Sequence, residues 1–105
     1  MSRMAKIQQM LQNDPNDVFL NFSLAMEYVK EQRPDDAVSQ FARVIDLDPD
    51  HVAAYYQQAN LLLGLNRKLE ATNVLERGMA AARRTNDAHM VDKIGQMQDL
   101  LRHAT

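Results

Sequence analysis

A chain of 105 residues, 46% hydrophobic and 25% charged, has the size and balance of a single folded domain, 1–105, rather than of a disordered segment. A formal charge of −2 and a pI near 5.8 exclude a general attraction to nucleic acid or anionic lipid, and the absence of cysteine excludes disulfides, thiolate metal sites and thiol nucleophiles. No stretch approaches the roughly 20 apolar residues that span a bilayer, and residues 1–10 lack the apolar core of a signal peptide, so a cytoplasmic setting is expected, with no membrane partner.

The chain opens with Met4, Ile7, Met10 and Leu11 at helical spacing, which predicts a short amphipathic helix over 2–13. Asp14-Pro15 then ends one helix and opens the next, with Asp14 or Asn16 as the expected cap, because proline is tolerated in the first turn of a helix and not in its interior. The second helix, about 17–31, carries two apolar stripes. Leu20, Leu24, Ala25 and Tyr28 form one and Phe19, Phe22, Met26 and Val29 the other, leaving Asn21, Ser23, Glu27 and Glu31 as its polar positions. Arg33-Pro34 marks a tight turn, since the residue before proline is pushed out of the helical region. Pro34 opens a third helix with Asp35 and Asp36 in its first turn and Ala37, Val38, Phe41, Val44 and Ile45 facing the core.

A fourth helix, about 51–63, presents Val52, Ala54, Tyr55, Ala59, Leu62 and Leu63 to the core, with Gly64 at its end. Asn66 is the expected cap of a fifth helix reaching about Arg84, whose core stripe reads Leu69, Ala71, Val74, Leu75 and Gly78. After Thr85-Asn86-Asp87, a last helix sets Met90, Ile94, Met97 and Leu101 on one face and polar residues on the other.

One period relates these elements. Asp14-Pro15 and Asp48-Pro49 lie 34 residues apart, and the same offset links Val18 to Val52, Ala25 to Ala59, Ala37 to Ala71 and Arg43 to Arg77. A fixed period of this length marks a helical array, in which a helix pair buries its apolar face only by stacking on a neighbour. Within residues 18–51, Leu24, Ala25, Tyr28, Ala37, Phe41 and Pro49 match the pattern W-x2-L-G-x2-Y…A-x3-F…P, with Asn21 in place of the tryptophan. Residues 52–85 match through Tyr55, Ala59, Leu62, Ala71 and Leu75, with Gln58 in place of the leucine and Arg83 in place of the closing proline, so the second helix of that repeat is expected to run long.

The sequence therefore resembles the tetratricopeptide repeat family, in the manner of a small bacterial-type member. The resemblance implies an all-α superhelix of about six antiparallel helices: half a repeat, repeats at about 18–51 and 52–85, and a capping helix at about 87–102. It also implies a concave groove for a peptide or protein, lined by Phe19, Phe22, Met26 and Lys30 in the first repeat and by Ala53, Tyr56, Asn60 and Leu63 in the second.

No catalytic constellation accompanies this pattern, and no enzyme activity, cofactor or metal is expected. Asp46, Asp48 and Asp50 alternate like the opening of a calcium loop, but His51 and Gln57 stand where that loop needs glycine and glutamate. His51, His89 and His103 are far apart in sequence, and the arginines and lysines of residues 67–84 lack the interleaved aromatics of a nucleic-acid surface. The expected function is a non-catalytic binding or scaffold module with an apolar groove for a protein or peptide of unknown identity. The alternatives are a homodimer that buries the apolar edge of the first repeat, and burial of that edge by a terminal helix of the same chain.

Overall fold

The computed structural model describes residues 1–103, so Ala104 and Thr105 of the expected domain lie outside the described residues. Six helices follow in order: α1 (Arg3–Asn13), α2 (Val18–Lys30), α3 (Pro34–Leu47), α4 (Val52–Gly64), α5 (Lys68–Arg84) and α6 (Ala88–His103). The connections are three or four residues long, which folds each helix back on the one before. Consecutive helices pack on one another, and α4 also touches α6, giving an elongated all-α repeat superhelix of 44 × 29 × 18 Å.

The helix ends explain the repeat. Asp17 caps α2, its Oδ1 accepting from the Leu20 amide at 2.8 Å. Asp14 and Asn16 do not take that role, because residues 14–17 form a separate turn closed by the Asp17 amide on the Asp14 carbonyl. Asn16 instead accepts from the Arg43 guanidinium at 2.6 Å. Ser2 and Asp87 cap α1 and α6 by the same carboxylate or hydroxyl geometry, and His51 caps α4 with Nδ1, which accepts from the Ala54 amide.

At the other ends, Gln32, Asn66 and Asn86 adopt positive φ values of 57°, 62° and 55°. After each, the next amide reaches back to the carbonyl five residues earlier, Arg33 to Tyr28, Arg67 to Leu62 and Asp87 to Ala82, which satisfies carbonyls that the helix leaves open. Asn66 thus closes α4 rather than capping α5. Gly64 is simply the last helical residue of α4. The first turn of α5 has no side-chain cap. Arg67 there holds Glu70 through two hydrogen bonds of 2.9 and 2.6 Å, which also keep the Glu70 carboxyl below the usual carboxylate range.

The core runs through α2 to α6. Phe41, Leu62, Leu75, Ile94 and Val44 are its largest fully buried side chains, and Ala25, Ala37, Ala59 and Ala71 have no exposed surface at all. A smaller cluster of Met4, Ile7 and Leu24 docks α1, with Tyr28 packed against both clusters and roofed by Arg33 at 4.7 Å. Three expectations change. Leu69 is 87% exposed, because it falls in the first turn of α5 on the side away from Ala71 and Val74. Val38 and Leu63 are half-buried rather than central. Asn21 and Glu27, expected to face water, are buried instead.

Each buried polar group has partners. Asn21 donates to the Pro15 and Asp17 carbonyls at 3.0 and 2.8 Å and accepts from Gln40 at 2.7 Å, so it ties α2 to α3 and to its own entry turn. Glu27 meets Arg3 of α1 at 3.5 Å and Lys30 at 3.8 Å. Gln58, standing where leucine was expected, donates to the Val38 carbonyl and ties α4 to α3.

α5 is 17 residues long and α3 is 14, as the missing proline at residue 83 leads one to expect. Consequently α4 begins 34 residues after α2, whereas α6 begins 36 after α4. Where α4 and α5 cross, a Cβ at Gly78 would stand 2.8 Å from Tyr55 Cβ, while one at Gly64 would meet nothing within 4 Å. Gly78→Ala should therefore cost roughly 1–3 kcal/mol by overpacking, although alanine is the better helix former. Gly64→Ala should stabilise by up to about 1 kcal/mol. Urea unfolding of both variants checks this pair.

Candidate partner-binding groove

The residues expected to line a groove lie on α2 and α4, and their exposure divides them. Phe19, Lys30, Ala53 and Asn60 are exposed, with Phe19 at 74%, while Phe22, Met26, Tyr56 and Leu63 are half-buried against the main core. The second set forms the floor of the face and the first stands above it. Amphipathic packing produces this arrangement: each helix buries a stripe centred on a small residue, Ala25 in α2 and Ala59 in α4, and the side chains beside that stripe are left partly open.

Phe22 is the residue that couples the two helices. Its ring meets Phe41 edge-on at 5.6 Å between centroids and stacks on His51 at 4.8 Å and 26°. The same imidazole caps α4, so one side chain joins the α2 face to the start of α4. Phe19, three residues earlier on the same helix, is not part of this ring cluster and stands exposed.

α6 contributes residues that the 34-residue period did not indicate. The Lys93 ammonium sits over the Tyr56 ring, 4.5 Å from its centroid, an interaction worth about 0.5–1 kcal/mol at an exposed site. Met90 and Met97, on the same side of α6 as Lys93, pack against the core beside it. The signal that could have found them is the extra length of α5: shifting the phase by two residues aligns the start of α6 with that of α4.

Beyond the apolar face, Ala53 also borders an open cleft of 560 Å³ lined by Asp48, Asp50, His51, Val52, Thr85, Asp87, His89 and Met90. Its carboxylates already have roles. Asp48 accepts from the Asp50 amide, Asp50 pairs with Arg84 at 2.9 Å, and Asp87 caps α6. Among the described residues, no group of three or more histidine, cysteine or acidic side chains could hold a metal ion, and no helix is long and apolar enough to cross a membrane. Three of the basic residues of 67–84 already have partners: Arg67 pairs with Glu70 and Asp35, Arg77 lies over Tyr55, and Arg84 pairs with Asp50.

A tetratricopeptide repeat model matches residues 28–91, more than half of the chain. The chain belongs to the tetratricopeptide repeat family. No curated relative matches it. Among solved structures it is similar to a tetratricopeptide repeat domain protein from Salinibacter ruber, at 25% identity and a TM-score of 0.81, covering 88% of this chain and 93% of that one. It also resembles the TPR2B domain of yeast Sti1, solved as a complex with pHsp70, at 18% identity and TM-score 0.86 over 97% and 82% of the two chains. A third similar structure is the Yersinia enterocolitica type III secretion chaperone SycD with a peptide of the translocator YopD, at 15% identity and TM-score 0.85 over 94% and 76%. The last two similarities concern the fold.

The division between floor and rim predicts unequal costs. Phe22→Ala should destabilise by about 2 kcal/mol, because it removes the contacts with Phe41 and His51. Phe19→Ala should stay within about 0.5 kcal/mol of the parent. Equal losses in chemical denaturation would contradict the assignment.

Proposed function

We propose that this tetratricopeptide repeat protein is a non-catalytic interaction or scaffold module, acting in the cytoplasm, that holds a peptide or a segment of another protein on the face built by Phe19, Phe22, Met26, Lys30, Ala53, Tyr56, Asn60 and Leu63. The observation that carries this reading is the half-buried row of Phe22, Met26, Tyr56 and Leu63, which leaves apolar surface open beside a complete core. The solved complexes of similar fold lend support, since one holds a translocator peptide and another pHsp70. The domain boundaries proposed with it are repeats at 18–51 and 52–85 and a capping helix at 87–102.

A second reading, self-association, is favoured by one observation: Phe19 is 74% exposed and belongs to neither core cluster. A stable dimer in light scattering that reverts to monomer in Phe19→Asp would favour it. Phe19 is the appropriate probe because Phe22→Asp would place a charge in the core.

The binding reading is tested by panning a phage-displayed random-peptide library against the protein and re-measuring the selected peptides on Ala53→Arg and Asn60→Arg. Both positions are exposed, so the substitutions leave the core intact. Affinity should fall about tenfold or more on each variant, which corresponds to roughly 1.4 kcal/mol. Unchanged affinity on both would remove the groove from the account.

A further inference from the structure

We propose that the segment held in this groove carries an acidic side chain among apolar ones, and that Lys93 of α6 receives its carboxylate. The inference rests on the groove reading and names the partner's chemistry.

The helical positions of the face carry little charge. On α2 they read Phe19, Phe22, Met26 and Lys30, on α4 Ala53, Tyr56, Asn60 and Leu63, and on α6 Met90, Lys93 and Met97. No acidic residue is among them, and the two charges are both cations. They differ in what surrounds them. Lys30 already has a counter-ion in Glu27 at 3.8 Å, which Arg3 shares. Lys93 is exposed, and among the described residues its ammonium takes part in no ion pair; it rests instead on the face of the Tyr56 ring. A ring face holds an ammonium in place without neutralising it. Lys93 therefore offers a full charge, already positioned over a groove residue, to whatever lies along the face.

Opposite charge is the complement that such a site selects. A single ammonium bordered by Tyr56, Met90 and Met97 suits one carboxylate flanked by apolar side chains, not a densely acidic tract. The other charged region beside the groove also limits where that carboxylate can sit. The cleft next to Ala53 presents the carboxylates of Asp48 and Asp87, with Asp50 already paired to Arg84, so it disfavours an acidic group and leaves Lys93 as its place of rest. Lys93 acts here as a specificity-determining residue: it favours acidic partners over isosteric neutral ones, while the apolar floor supplies the bulk of the contact area.

The test uses the full chain and the same displayed library, whose peptides are fused to the coat protein and so have no free C-terminal carboxylate. Panning on the parent should yield apolar sequences enriched in aspartate or glutamate at one position. A soluble peptide made from the strongest sequence should then bind Lys93→Gln about fivefold more weakly than the parent, and exchanging its acidic residue for the amide should abolish that difference. Lys93→Glu should turn the selection toward lysine or arginine at that position. Circular dichroism of both variants reads whether α6 is intact, and an exposed helical position should tolerate either change.

Selected peptides that lose affinity on Asn60→Arg but are indifferent to Lys93→Gln would overturn the acidic-partner inference while leaving the groove reading in place. Peptides indifferent to Asn60→Arg and Ala53→Arg as well, or a library that yields no binder, would overturn the groove reading and this inference with it.

Discussion

The near-contact of α4 and α5 at Tyr55 and Gly78 sets the spacing on which the surrounding structure depends. With only 2.8 Å between Tyr55 Cβ and the place a Gly78 Cβ would occupy, the two helices can approach no further and can fill the crossing with nothing larger. Ala25, Ala37, Ala59 and Ala71, all without exposed surface, let the paired helices α2 and α3, and α4 and α5, pack closely. Small residues at the crossings force the large ones to the sides, where Phe41, Leu62 and Leu75 complete a dense interior. What remains beyond those residues on α2 and α4 is the half-open row of Phe22, Met26, Tyr56 and Leu63. This half-open face is thus a by-product of tight pairing between the helices.

Polar side chains add a different chemistry, between α2 and α3 within the first pair and between α3 and α4 at the junction of the two pairs. Asn21 and Gln58 are buried polar side chains that join α2 and α4 to α3 by hydrogen bonds, and among the described residues no buried side-chain nitrogen or oxygen lacks a partner. Such bonds contribute modestly to stability but penalise displacement, since a shifted helix would strand a buried amide. They fix the rotation of α2 and α4 relative to α3 and hence the direction in which the groove residues point. Phe22 on His51 adds an aromatic contact at the same junction. α1 is held more lightly, by the separate cluster around Met4 and Ile7 and by the Arg3–Glu27 pair.

The helical architecture was legible because its signals are local and repeated. Prolines at 15, 34 and 49, the 34-residue offsets and the apolar stripes place six helices within a few residues of where they lie. Cap identities were not legible, because Asp14, Asn16 and Asp17 have similar capping chemistry and only the geometry of the 14–17 turn chooses among them. The burial of Asn21 and Glu27 was hidden for a related reason: a polar side chain is read as facing water unless its partners, here Gln40, Pro15 and Arg3, can be brought near in space. The candidate face was half legible. The family resemblance pointed to the α2 and α4 positions, whose partial exposure only the structure gives, and the longer α5 shifted the phase of α6 and concealed the contact of Lys93 with Tyr56.

If tight pairing at the crossings is what holds the array, its stability must be unevenly distributed along the chain. Native-state hydrogen exchange reads that distribution residue by residue. Amides of α3, α4 and α5 should exchange only through global unfolding, with α1 opening at a lower free energy because its cluster is small and separate. Protection in α1 equal to that in α4, or subglobal opening of α4 and α5 ahead of α1, would contradict the account.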